Sequence, residues 1–218
     1  VGCGNCEQCN NGQEQVCDHY FQPGFTGWGS FAELVKIRYA DHNLVRLPDS
    51  VSFTTAALLG CRFITAWRGV TARGNVKAGD WVAVHGCGGV GLSAIMIATA
   101  FGAKAIAVDI NEDKLRLAAN IGAVQMINAK KTEDIPGAIK KITQGGAHIS
   151  VDALGSRETC RHSTLSLRKQ GKHIQLGLLA GAEANPPIPM SAVISNELQL
   201  MGSHGMQAHQ YPAMMDMI

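Results

Sequence analysis

From Trp81 onward, short apolar runs alternate with longer segments of helical character, and this alternation sets the first expectation. WVAVH, residues 81–85, is an apolar run closed by His85 and bounded by Gly79-Asp80 and by glycines, as befits a strand covered on both faces. Gly88 opens an apolar segment of helical length, and residues 105–108, ending at Asp109, read as a second strand. Further strand-like runs follow at 124–127, 148–151, 172–176 and 198–201. Helical segments at 132–143 and 156–167 and a Pro/Gly-rich loop, GLLAGAEANPPIP, separate them. Six strands alternating with helices predict right-handed crossovers and an α/β fold with a doubly wound parallel sheet, its ligands gathered at the carboxyl ends of the strands. Upstream, 30–37 reads as another strand, and Leu47-Pro48-Asp49 as a turn before a helical region.

The first strand-to-helix junction carries chemistry. Gly86, Gly88 and Gly91 form G-x-G-x-x-G, with Gly89 and Val90 inside it, and Asp109 follows Gly86 by 23 residues. In a strand–turn–helix–strand context this is the fingerprint of a six-stranded Rossmann domain. Gly86 permits the tight turn, Gly88 leaves room for a pyrophosphate, and Gly91 lets the helix pack on its strand, with the helix N-terminus facing the phosphates. Asp109 would accept hydrogen bonds from the ribose hydroxyls. A 2′-phosphate there would meet a like charge, costing on the order of a few kcal/mol, so NAD is expected over NADP. The bland alternative is a glycine-rich turn with Asp109 as a helix cap. At later strand ends, Ala153-Leu154-Gly155 and Leu176-Gly177-Leu178 are small or apolar and could line a nicotinamide pocket or merely punctuate strand and loop.

The amino-terminal stretch, VGCGNCEQCNNGQEQVC, holds Cys3, Cys6, Cys9 and Cys17, four of the seven cysteines. Disulfides fit poorly, because a chain with an ordinary apolar core and an odd number of cysteines is no small secreted scaffold. An iron–sulfur site is a closer rival, but the ferredoxin run ends in C-x3-C-P, whereas seven residues separate Cys9 from Cys17 and Asp18 follows. Structural zinc is the best fit: four thiolates close a tetrahedral shell, and Gly4, Asn5, Asn10, Asn11 and Gly12 suit a loop wrapped around an ion. The first twenty residues lack Lys and Arg, which speaks against a zinc ribbon gripping phosphates.

Composition changes this picture little. With 218 residues, 46% hydrophobic and 17% charged, the chain is an ordinary globular sequence of one or two domains. A net charge of +2 without basic blocks implies neither nucleic acid nor membrane surface as a partner. Residues 81–103 contain no charged side chain and are long enough to span a bilayer, but four glycines between 86 and 91 break the continuity a spanning helix needs. The chain begins at Val1 without Met or a signal-like region, so a cytoplasmic protein and a piece of a longer one are expected.

The order of a four-cysteine lobe, then G-x-F-A-E, LPD, Gly-Cys before a helix, GCGGVG and VDI resembles the zinc-dependent medium-chain alcohol dehydrogenases over essentially all 218 residues. The resemblance implies a zinc-stabilised remnant of a GroES-like catalytic domain at 1–62, an NAD-binding Rossmann domain at 63–205, and at 206–218 the start of a segment returning to the catalytic domain. It makes Cys61 a ligand of a second, catalytic zinc. It also places Thr65 near the nicotinamide, Lys114 beside Asp109 at the adenosine ribose, and Leu176, Gly177 and Leu178 against the carboxamide. The implied reaction oxidises a small alcohol to an aldehyde or ketone by hydride transfer to NAD, in a homodimer or tetramer paired at the edge of the last strand. Cys61 alone, in AALLGC, would read as a small buried hydrophobe. Cys87 and Cys160 keep that reading, and His204 reads as a structural histidine. In the family the other catalytic-zinc ligands precede the four-cysteine lobe and lie before Val1. The 218 residues by themselves are therefore expected to be inactive, which leaves a non-catalytic, zinc-stabilised dinucleotide-binding module as the alternative.

Overall fold

The structure is a computed structural model that describes residues 1–217. It divides into two compact units: residues 1–58 with the described residues from His204 on, and Leu59–Ser203. In the first unit α1 (Glu7–Asn10) is a single turn capped by Cys6, α2 (Ala40–Asn43) another, and α3 (Phe53–Leu58) a third short helix. The strand expected at 30–37 is not formed, and those residues are irregular. A strand needs a ladder of backbone partners, and none runs alongside this stretch among the described residues. Phe31 and Leu34 there, and Phe25 and Trp28 just before them, stand more than four-fifths exposed.

The second unit begins with a π-helical turn (Leu59–Phe63) kinked at Gly60, followed by α4 (Ile64–Arg68) and a second π turn (Gly69–Arg73). Its body alternates as β1 (Trp81–His85), α5 (Gly89–Ala100), β2 (Lys104–Asp109), α6 (Glu112–Asn120), β3 (Ala123–Asn128), α7 (Ile135–Thr143), β4 (Ala147–Asp152), α8 (Arg157–Leu165), β5 (Leu167–Gln175), α9 (Met190–Ser195) and β6 (Gln199–Gly202). All six strands are parallel in the order β3-β2-β1-β4-β5-β6. That is the doubly wound order, with its reversal between β1 and β4.

Alternate residues supply the two faces of the sheet. Val82, Val84, Ala105, Ala107, Ile149 and Val151 join the core that holds Ala94, Ile95 and Ala98 of α5 and Leu115 of α6. On the opposite face Ala83, Ile106, Val108 and Ile127 pack against Ile135 and Ile139 of α7. Caps start the helices after these strands: the Asn111 side chain accepts from the amides of Asp113 and Lys114, and that of Asp134 from Gly137. Ser156 and Thr159 form a reciprocal capping box at α8. This helix stops two residues short of the expected end because Leu167 already belongs to β5. The Pro/Gly-rich loop leads into α9, which the sequence pattern did not signal. The described residues from His204 on belong to the first unit, and their last helix is α10 (Tyr211–Met215).

Candidate functional site: a four-thiol centre and a glycine turn

The four expected cysteines converge. Their sulfurs all lie within 4.8 Å of one another, and Cys3, Cys9 and Cys17 are buried. Cys3 Sγ is 4.0 Å from Cys9 Sγ, and Cys6 Sγ 3.8 Å from Cys17 Sγ. A tetrahedron of thiolates with metal–sulfur bonds of about 2.3 Å has edges of about 3.8 Å. These separations fit one tetrahedral ion and exceed the roughly 2.05 Å of a disulfide. Backbone amides of Cys3 and His19 both donate to Cys17 Sγ at 3.3 Å. The Cys9 amide brings the Cys6 thiol down to about 6, while burial pushes Cys9 up to about 12. A cation is what would let all four ionise together. The loop is tied down from outside, since Asn43 Oδ1 accepts from the Gly2 amide at 2.7 Å and Asn43 Nδ2 donates to the Gly2 carbonyl at 2.8 Å.

The second site lies at the carboxyl end of β1. Gly86 has φ +93°, a left-handed conformation that glycine adopts freely, and the turn it opens delivers the chain to Gly88, the N-cap of α5. A Cβ on Gly91 would fall 1.8 Å from the Gly86 carbonyl oxygen, so helix and turn touch backbone to backbone. Around Gly88, by contrast, a Cβ would meet nothing within 4 Å, and this is the open cradle over the helix N-terminus. Asp109 faces the turn: its Oδ2 accepts from the Cys87 amide at 2.7 Å and its Oδ1 from the Asn111 amide at 2.9 Å. Each oxygen keeps a lone pair for a further donor. Val90 is half-buried in the first turn of α5, and Lys114 is exposed on α6. Cys87 is buried, with burial and the Asp109 charge pushing its thiol up to about 12, so it is inert packing. Cys160 is buried on α8.

Arg62 was not anticipated by the sequence pattern: a Cβ on Gly89 would lie 2.4 Å from its Cδ, so the arginine stem crosses the start of α5. Cys61 beside it is exposed, and among the described residues it belongs to no cluster of three or more Cys, His or carboxylate side chains. Thr65, on α4, is half-buried. His204 Nδ1 bonds the Gln15 carbonyl oxygen at 2.9 Å, a structural contact inside the first unit.

The ends of β4 and β5 are locked together beside this turn. A Cβ on Gly177 would fall 2.2 Å from the Gly155 nitrogen, and one on Gly86 would come within 3.1 Å of Leu154 Cβ. Leu176 is buried, and its side chain fills the space left by Gly69, whereas Leu178 is exposed. Beneath them is Asp152, fully buried. The only sequence signal for it is an acid closing the apolar run HISVD, the same place that Asp109 takes on β2. Among the described residues no helix is long and apolar enough to cross a membrane.

A family model described as zinc-binding dehydrogenase matches residues 89–218. An alcohol dehydrogenase of Geobacillus stearothermophilus is 32% identical over 201 residues, covering 92% of this chain and 57% of that protein. Alcohol dehydrogenase 2 of Caenorhabditis elegans is 33% identical over 206 residues, covering 93% and 56%. The chain thus spans little more than half the length of these relatives. Among solved structures, an NAD-dependent alcohol dehydrogenase superposes with a TM-score of 0.87 at 31% identity, over 99% of this chain and 62% of that one. The alcohol dehydrogenase of Aeropyrum pernix does so with 0.87 at 27%, again over 99% and 62%.

Proposed function

We propose, from the premise that this chain belongs to the zinc-dependent medium-chain alcohol dehydrogenases, that it is the NAD-binding part of an NAD-linked alcohol dehydrogenase together with that enzyme's structural-zinc lobe. The observation that carries this reading is the turn at Gly86 to Gly91, open over Gly88 and faced by the Asp109 carboxylate. In this reading 1–62 is the remnant of the catalytic domain, 63–205 binds the cofactor, and 206–218 begins the return to the catalytic domain.

Cys61 alone does not make a zinc site; with further ligands from outside these residues it would hold a zinc that would supply Lewis-acid activation of an alcohol, and a bound nicotinamide would supply the hydride acceptor. This chain's own residues bind and orient. Cys3, Cys6, Cys9 and Cys17 hold the structural zinc. Gly86, Gly88, Gly89, Val90 and Gly91 seat the pyrophosphate on the N-terminus of α5, where amides and helix dipole meet its charge. Asp109 takes the ribose hydroxyls with Lys114 beside it, Thr65 stands near the nicotinamide, and Leu176, Gly177 and Leu178 form the wall for the carboxamide. Substrates are small alcohols or aldehydes. A reducing cytoplasm suits the free thiols, and the edge strand β6 suits pairing with a second copy.

Elemental analysis should find close to one zinc for each chain. The chain should bind NAD at least about tenfold more tightly than NADP, a difference of roughly 1.4 kcal/mol. Equal affinities would remove the role given to Asp109. Steady NADH formation from a primary alcohol by these 218 residues would overturn the view that they bind cofactor without turning substrate over.

A further inference from the structure

A continuous line of buried and half-buried side chains runs under the ends of β4 and β5. Ser150 Oγ lies 2.8 Å from Ser163 Oγ, which lies 2.8 Å from His173 Nδ1. His173 Nε2 is 3.1 Å from Gln175 Oε1, and Gln175 Nε2 reaches Asp152 Oδ2 at 3.0 Å and the Gly177 carbonyl oxygen at 2.8 Å. Asp152 takes three more donors: the amides of Leu154 and Gly155 on Oδ1 at 3.0 and 2.9 Å, and the Thr159 hydroxyl on Oδ2 at 3.1 Å. Its backbone carbonyl accepts from the amides of Leu176 and Gly177 at 3.0 and 2.8 Å. Gly177 is therefore held at both its nitrogen and its oxygen.

The chemistry of the groups fixes every proton along this line. A carboxylate and a peptide carbonyl can only accept, so the Gln175 amide must turn its NH2 to both of them and its oxygen to His173. His173 Nε2 then carries the proton. Burial lowers the His173 pKa and keeps the ring neutral, so Nδ1 is an acceptor and the Ser163 hydroxyl must donate to it, with Ser150 donating to Ser163 in turn. The whole chain points toward Asp152.

We propose that Asp152 is a positioning residue for the nicotinamide end of the cofactor: through Gln175 and two loop amides it sets Gly177 and residues 153–155, and the oriented chain from Ser150 through His173 stops Gln175 from turning over. This rests on the NAD reading given above. The adenosine end, at Gly86 to Gly91 and Asp109, meets this line only where Gly86 packs against Leu154, and Asp109 takes its hydrogen bonds from the Cys87 and Asn111 amides.

Asp152→Asn separates this role from bulk packing. The carboxamide it introduces must keep its oxygen on the two loop amides, so its NH2 faces Gln175. The Gln175 amide then turns over, the Gly177 carbonyl loses its donor, and His173 must move its proton to Nδ1. Imidazole 15N NMR should show the Nε2–H tautomer in the unsubstituted chain and the Nδ1–H tautomer in the variant. Binding of NAD should fall at least about tenfold while AMP, which needs only the adenosine end, binds within about twofold. Gln175→Met, which cuts the link with Asp152 in place, should lose NAD affinity likewise and keep AMP. Retention of both AMP and NAD affinity by either variant overturns the proposal, as does an Nδ1–H tautomer in the unsubstituted chain, which can be read even if neither variant folds. If the unsubstituted chain holds AMP but gains nothing from the nicotinamide half, the cofactor reading fails and takes the proposal with it.

Discussion

Gly88 and Gly91 sit three residues apart and answer opposite constraints. Gly91 is glycine because the fold leaves no room: its Cβ would stand 1.8 Å from a carbonyl oxygen. Gly88 has room to spare, and it is a ligand that would need the space. Gly91→Ala should therefore destabilise the chain by about 1–3 kcal/mol through forced separation of turn and helix. Gly88→Ala should cost within about 1 kcal/mol, the loss expected at an N-cap, yet abolish most NAD affinity. Urea unfolding together with NAD titration of the two variants separates the roles, and a Gly88→Ala protein that still binds NAD normally would contradict the cradle. The glycines and Asp109 were legible in sequence because the motif is contiguous and its spacing is set by one strand–helix–strand unit. Asp152, His173 and Gln175 were not. They meet only because the register of β4 and β5 sets Ser150 opposite His173 and Asp152 opposite Gln175, and spacing along the chain carries no trace of that pairing.

Strands β1, β2 and β4 announced themselves as apolar runs because both faces of the sheet are covered there, whereas β3, at the sheet edge, leaves Val124 and Met126 exposed. The expected strand at 30–37 had the same apolar character but no neighbour to complete its hydrogen bonds, and α9 hid behind prolines that read as loop. Within β1, His85 is a polar residue where the pattern wants an apolar one. It is buried, its Nε2 has no hydrogen-bond partner, and burial drives its pKa from 6.5 down to about 3. The folded state thus holds the neutral ring, whereas the unfolded chain takes up a proton below pH 6.5. Stability from this group is complete above that pH and drains away toward pH 3 at about 1.4 kcal/mol for each unit. His173, also shifted down by burial, acts in the same direction. Urea midpoints should fall between pH 7 and pH 5 by the equivalent of about 2 kcal/mol, and His85→Leu should remove much of that slope. An unchanged slope in the variant would mean that His85 is not the group responsible.

At the scale of the molecule the two units are stabilised by different means. Residues 59–203 have a continuous apolar core on both faces of the sheet, whereas the buried cluster of the first lobe consists of the cysteines themselves. A structural metal in such a lobe is worth on the order of 10–16 kcal/mol, far more than those few buried groups could supply. Stripping zinc with a chelator should therefore expose the amides of residues 1–20 to hydrogen exchange while strands β1, β2 and β4 stay protected and NAD still binds. Simultaneous loss of protection in both regions would show that the sheet, too, depends on the metal. The close approach of the sulfurs carries a hazard as well. Emptied of its ion, the lobe leaves Cys3 by Cys9 and Cys6 by Cys17 as ready-made partners for an oxidant, which would join each pair and expel two protons and two electrons per bond. Air reaching the metal-free chain would then lock the lobe into a form that added zinc cannot refill until a reductant is supplied, so loading the metal has to precede exposure to oxygen, and the intact mass, lighter by the hydrogens of the new bonds, would record a failure to do so.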